Sequence, residues 1–198
     1  MVFPYEESDP YAPVPQAVLK RKSPLLLQFF SKYKKILEQQ THYSDSLRAA
    51  GEFYGLARTG PYSFRDCYVA YRDNTKWRAT VVTHKVTPWM EEKRFLFQNH
   101  AVSMCERVEG GLISEAEAYY LAGILNSPAV AEFIYASSDN RSFKIRPPIY
   151  MPLYNAKDAR HGEISKLSRH AHAKPASVES SCAAIEKIYL ELCSERPD

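Results

Sequence analysis

Along this chain the apolar positions change period twice, and the changes mark off helical, strand-like and again helical stretches. Leu26, Phe29, Phe30, Tyr33, Ile36 and Leu37 follow Ser23-Pro24 at helical spacing. A serine accepts from the free N–H groups at a helix start, and proline fits the first turn, where its missing N–H is not needed. The spacing predicts a helix over 24–40, resuming over 43–50 and closed by Gly51. The residues before it carry Pro4, Pro10, Pro13 and Pro15 among acids and read as an extended lead-in.

From Phe53 the pattern becomes strand-like. Candidate strands lie over 53–58, 68–71, 77–83, 95–97 and 101–108, the third being rich in β-formers. Asp73-Asn74-Thr75 predicts a turn between the second and third. Helical spacing returns at Ser114-Glu115-Ala116-Glu117, which has capping-box form. That helix should run to Leu125, with Asn126 ending it in a left-handed conformation. Ser127-Pro128 opens another helix that ends near Tyr135. A short strand over 143–146 and an extended path through Pro147, Pro148 and Pro152 follow. Pro152 and Asn155 are expected to set the turn into a helix over 162–173, and a last helix covers 178–192. The pattern predicts an α+β fold: a small, curved, mainly antiparallel sheet flanked by helices, with an N-terminal helix and a C-terminal helical arm. The expected organisation is a lead-in over 1–22, one domain over 23–173 and the arm over 174–198.

Composition narrows the function only modestly. At 198 residues and 45% apolar content the chain can build a core, and its net charge of +3 permits a nucleic-acid partner without requiring one. The four cysteines, Cys67, Cys105, Cys182 and Cys193, form no C-x-x-C pair, and Met1-Val2-Phe3-Pro4-Tyr5-Glu6-Glu7 lacks the basic-then-apolar pattern of a secretory signal. A reduced, cytoplasmic setting is therefore expected, and no apolar run is long enough to span a bilayer. No glycine loop for a nucleotide and no G-x-S-x-G elbow occurs, so no cofactor is expected. His170 and His172 lie two apart on an expected helix, where they point to different faces, so no metal site is expected.

What stands out is an interleaving of basic and aromatic residues. Arg58, Tyr62, Arg65, Arg72, Lys76, Arg78, Lys85, Lys93 and Arg94 fall between Gly51 and Asn99, and Arg141, Lys144 and Arg146 form a second group. Such side chains hold phosphates or read base edges in the major groove, which makes them candidate DNA contacts. The alternative reading of the same residues is a solvated face over an aromatic core.

Phe53-Tyr54-Gly55-Leu56-Ala57-Arg58-Thr59-Gly60-Pro61-Tyr62-Ser63-Phe64 resembles the opening of a target-recognition (specificity) domain. This is the domain carried by adenine-N6 DNA methyltransferases and by type I and type IIG restriction-modification enzymes. The runs Ala118–Pro128, Ile149–Asn155 and His161–His172 resemble the same family, as do Phe3-Pro4-Tyr5 and the Ser23–Gln40 segment. In such proteins a catalytic domain binds S-adenosylmethionine and methylates a flipped adenine, while this region reads the DNA sequence. The chain is similar only to the specificity part. Arg146-Pro147-Pro148-Ile149 departs from the Asn/Asp-Pro-Pro-aromatic catalytic loop at both chemical positions. The resemblance therefore implies a non-catalytic module that recognises double-stranded DNA within a restriction-modification or phage-defence system. Its expected partners are DNA and a methyltransferase domain or subunit.

Two rivals remain. One is a protein-interaction module that keeps the fold without binding DNA, docking a methyltransferase or a second copy. The stripe Ile185, Ile188, Tyr189 and Leu192 fits such docking or packing on its own domain equally. The other is a small enzyme that sets His84, His100 or His161 beside a carboxylate. Tyr119, Tyr120, Leu121, Ile124 and Leu125 read as helix core rather than DNA contacts, and Tyr62 and Phe64 fit core or a DNA-facing loop equally.

Overall fold

Prolines or carboxylates stand at the start of several of the described helices. In the structure, a computed structural model, residues 2–39, 52–56, 59–72, 76–97, 101–138 and 148–195 are described. Expectations for 43–50, for the turn at 73–75 and for the strand over 143–146 lie outside them, as do Arg58, His100, Arg141, Lys144 and Arg146. The fold is α+β, with two units, Met1–Arg65 and Asp66–Asp198.

The first unit holds α1 (Gln16–Lys22), α2 (Pro24–Lys32) and α3 (Lys34–Glu38). Helix α1 lies where the proline pattern predicts extended chain. Proline only limits the residues around it, and after Pro15 the run Gln-Ala-Val-Leu-Lys contains none. The Glu52 carboxylate also accepts from the free Gln16 N–H (3.1 Å), supplying a cap from a distant segment. Pro24 occupies the first turn of α2 as expected, but the Ser23 side chain makes no cap bond, and the helix breaks at Tyr33.

Phe53 and Tyr54 form a turn rather than a strand, because both rings are buried against the helices. Tyr54 stacks on Phe30 at 4.9 Å and donates its hydroxyl to the Val14 carbonyl (2.6 Å). Leu19 completes this cluster. Gly60 is required by close approach. A Cβ there would lie 2.9 Å from the Tyr62 ring and 3.3 Å from Tyr11, so the Gly-Pro-Tyr order has a steric reason.

The second unit opens with a three-stranded antiparallel sheet of order β2-β1-β5, where β1 is Tyr68–Arg72, β2 Ala79–Val82 and β5 Ala101–Met104. Central β1 is buried from Tyr68 to Tyr71, with Tyr71 opposite Ala79 on one side and Val102 on the other. Two short strands, β3 (Lys85–Val86) and β4 (Glu92–Lys93), make a separate ribbon. Phe95–Phe97 is not a strand.

Four helices follow: α4 (Glu115–Leu125), α5 (Pro128–Ser137), α6 (Ala159–Ala173) and α7 (Val178–Ser194). The capping box of α4 forms in full: Ser114 accepts from the Glu117 N–H (3.2 Å), and Glu117 accepts from the Ser114 N–H (3.4 Å). Arg107 grips the same carboxylate through its Nε (2.9 Å).

Asn126 ends α4, but at φ −96°, ψ −2° it is right-handed, contrary to the expectation. Its side chain is used differently. The amide oxygen accepts from the Ala79 N–H (2.9 Å) and the amide nitrogen donates to the Ala79 carbonyl (2.7 Å), joining the helix to β2.

Helix α4 runs through the middle of the core, with Tyr120, Ala122, Ile124 and Leu125 all buried. At Gly123 a Cβ would meet Ile164 at 3.0 Å, Ser168 at 3.2 Å and Ile185 at 3.3 Å, so glycine lets α6 and α7 close on α4. Helix α6 starts three residues earlier than its apolar spacing suggests, because Asp158 caps it by accepting from the Arg160 N–H (2.9 Å). The Ile185, Tyr189 and Leu192 stripe of α7 is buried in its own unit, which selects the packing reading over docking to a partner. Among the described residues no helix is long and apolar enough to cross a membrane.

Candidate nucleic-acid interface

Three basic residues of the second unit, Arg72, Lys76 and Arg78, lie at one end of the β1–β2 pair, beside one buried side chain. Trp77 is 1% exposed; its indole N–H donates to the Leu125 carbonyl (2.6 Å) and its backbone N–H to the Tyr135 hydroxyl (2.9 Å). With Trp77 turned inward, its neighbours Lys76 and Arg78 are exposed. Tyr71 pairs with Ala79, so the next residues out, Arg72 and Arg78, stand at the same end of the β1–β2 pair. Arg72, Lys76, Arg78 and also Lys85 take part in no ion pair among the described residues. Unshared charge of this kind is what a phosphate can use.

Other expected contacts are placed differently. Lys93 is bound to Glu91 (2.6 Å), while Arg94 and His84 share Asp66 at 2.9 and 3.2 Å. Arg65 is half-buried in the first unit, and Tyr62 there is exposed. Phe64 packs on Phe3 at 5.5 Å, so it belongs to that unit's interior.

The ribbon carries a feature that the sequence pattern does not show. Lys85 stands opposite Lys93, and Thr87-Pro88-Trp89-Met90 makes the turn between the strands. The Met90 N–H donates to the Thr87 carbonyl and the Thr87 N–H to the Glu91 carbonyl, both at 2.9 Å. The Thr87 hydroxyl adds bonds to both backbone groups of Glu91, at 3.0 and 3.1 Å. This firmly tied tip presents Trp89 and Met90, 67% and 83% exposed, to solvent. Met90 sits at φ 64°, a left-handed conformation that costs energy for any side chain beyond glycine. Proline after Thr87 was the legible signal, since it favours the second position of a turn.

A pocket of about 220 Å³ opens between β2, α4, α6 and α7, and its lining includes Ala79, Gly123, Ala171, Ile185, Arg78 and Cys182. Burial pushes the Cys182 thiol above its ordinary value, with Arg78 acting the other way, so the thiol is neutral at pH 7. Asn126 and His172 also line the pocket but are engaged: His172 Nε2 accepts from the Val81 N–H (3.0 Å), and its Nδ1 lies 2.8 Å from the Ser168 carbonyl. With Nε2 accepting from Val81, Nδ1 is left as the ring's donor toward the Ser168 carbonyl.

Among the described residues two histidines have carboxylate neighbours, His84 with Asp66 and His161 with Asp158 at 4.0 Å, and neither lines this pocket. His161 is buried, stacks on Tyr120 at 4.7 Å and accepts the Asn155 N–H at Nδ1 (2.9 Å). Burial holds its pKa below the ordinary value; Asp158 opposes the shift and Arg160 adds to it. The arrangement fastens the Asn155 turn to α6. Among the described residues no group of three or more His, Cys, Asp or Glu side chains could hold a metal ion. No family model, no curated protein and no solved structure matches this chain.

Proposed function

We propose that this chain is the DNA-recognition part of an adenine-N6 methyltransferase system and performs no chemistry itself. The observation that carries this reading is the cluster of Arg72, Lys76 and Arg78, exposed, without ion-pair partners among the described residues and set in place by the buried Trp77. Exposed cations grouped at one end of a strand pair suit a duplex backbone, because no internal ion pair has to break when phosphates arrive. Lys85, beyond the other end of β2, is a further exposed cation on the ribbon. The resemblance of the Phe53–Phe64 and Ala118–Pro128 runs to specificity domains supports the same reading.

Binding to a mixed-sequence duplex across a salt series tests it. The apparent affinity should fall steeply with salt, and replacing Arg72, Lys76 and Arg78 by alanine should lower the slope by about 0.9 for each phosphate that is no longer neutralised. Purified protein supplied with S-adenosylmethionine should leave the DNA unmethylated. A folded triple variant with an unchanged slope would remove this surface from consideration.

One observation favours a second reading, a protein-interaction module. Trp89 and Met90 are large, exposed and held on a strained turn, and exposed aromatic and methionine side chains are enriched at protein interfaces. Full binding by the wild type to a protein partner, with no duplex binding at low salt, would put that reading first.

A further inference from the structure

We infer that the Trp89 tip of one copy of this chain seats in the Arg78 pocket of a second copy. This goes beyond the DNA reading and does not depend on it. Tip and pocket lie on the same unit and match in size, polarity and charge.

Size comes first. A cavity of roughly 150 Å³ lined by apolar side chains holds a benzene molecule. The pocket here has about 220 Å³, and its lining is mainly apolar, with Ala79, Gly123, Ala171 and Ile185 among its residues. An indole fits both that volume and that lining. Gly123 adds no side chain of its own to that lining, and Ile164, Ser168 and Ile185 pack closely against it.

Charge comes second. The lining also holds Arg78, which has no ion pair among the described residues. The tip holds Glu91, whose carboxylate lies 3.3 Å from the Trp89 indole nitrogen. An indole entering the pocket brings that carboxylate toward the guanidinium, and the guanidinium also meets the ring face favourably. The neutral Cys182 thiol in the same lining opposes neither contact. Lys93, which holds Glu91 at 2.6 Å in the free tip, is exposed and gives up little when it shares that carboxylate.

Preorganisation comes third. The four bonds between Thr87 and its turn partners fix the tip before association, and Met90 bears its left-handed strain with its side chain in water. A side chain that is exposed, apolar and held at a cost is accounted for by a surface that covers it. If each copy inserts its tip into the other, the contact closes as a two-fold dimer; if not, it propagates head to tail.

Sedimentation of the full chain over a concentration series, without DNA, tests the inference, with iodide quenching of tryptophan read alongside. The chain has two tryptophans, and since Trp77 is buried, quenching reports Trp89. The expected result is association that protects Trp89 from iodide and that Trp89→Ala weakens about thirtyfold or more. Because Trp89 is exposed, this variant folds as the wild type does, which circular dichroism verifies. Arg78→Glu and Glu91→Arg should each weaken association, and the double exchange should restore a substantial part of it. A wild type that stays monomeric with Trp89 fully quenchable overturns the proposal. So does association unaffected by Trp89→Ala, which places the interface elsewhere, and so does a double exchange no better than the single ones.

Discussion

His161 shows how one side chain in this protein ties stability to pH. Its imidazole is buried on α6 beside the rings of Tyr120 and Tyr154, and Nδ1 already accepts a backbone N–H from Asn155. A proton added at Nδ1 would face that donor, so the folded state resists protonation, and burial depresses the pKa further. The unfolded chain takes up that proton near pH 6.5. Stability contributed by the neutral ring is therefore complete above about pH 6.5 and is lost as pH falls from there to the depressed folded pKa. Urea midpoints at successive pH values should drop through this window, and His161→Asn should flatten the drop. A wild-type midpoint that stays level through the window would count against the account. The Asp158 carboxylate belongs to a lower window, since its bonds to Arg160 hold it down to about 2. Other residue roles were half legible in the sequence. Tyr120, Ile124 and Leu125 are buried as the helical spacing implies. The tasks of Asn126, Gly123 and His172 depend on atoms of β2, α6 and α7 that are distant in sequence, so no local pattern could reveal them.

At the scale of elements, signals confined to one turn of chain read well and signals spread over several elements read poorly. The Ser114–Glu117 capping box and Pro128 in the first turn of α5 were visible because cap and helix are contiguous. Helix α1 was hidden because its cap comes from Glu52. The β3–β4 ribbon was hidden because two-residue strands are too short to show an alternating pattern. Its turn yields a prediction. Met90 occupies a left-handed position where glycine carries no steric penalty, although glycine also gives the open state more freedom. Met90→Gly should therefore tighten the turn by a net of about 0.5–1 kcal/mol. Amide exchange at Thr87 and Glu91, whose N–H groups are bonded across the turn, should slow by about two- to fivefold. Faster exchange in the variant would show that the methionine side chain stabilises its own turn.

For the whole molecule, the decisive fact is that the two buried clusters share no residue. One is built from Leu19, Phe30, Phe53 and Tyr54; the other extends from Val69 to Leu192. Apolar spacing predicts a single domain over 23–173, because periodicity says which residues are buried but not against which partners. The structure divides the chain at Arg65 and Asp66 instead. A unit with its own core can unfold as its own cooperative body. Residues 66–198 produced alone should therefore melt in a single transition, with Trp77 emission shifted to the blue in the folded form because that ring stays buried. A fragment with helical signal but no sharp transition would mean that the first unit completes the core of the second. The same fragment carries Arg72, Lys76, Arg78 and Lys85, the exposed cations on which the DNA reading rests. It should keep most of the salt slope of the full chain on duplex DNA. A folded fragment whose slope collapses would shift the phosphate contacts to the first unit and to Tyr62 and Arg65.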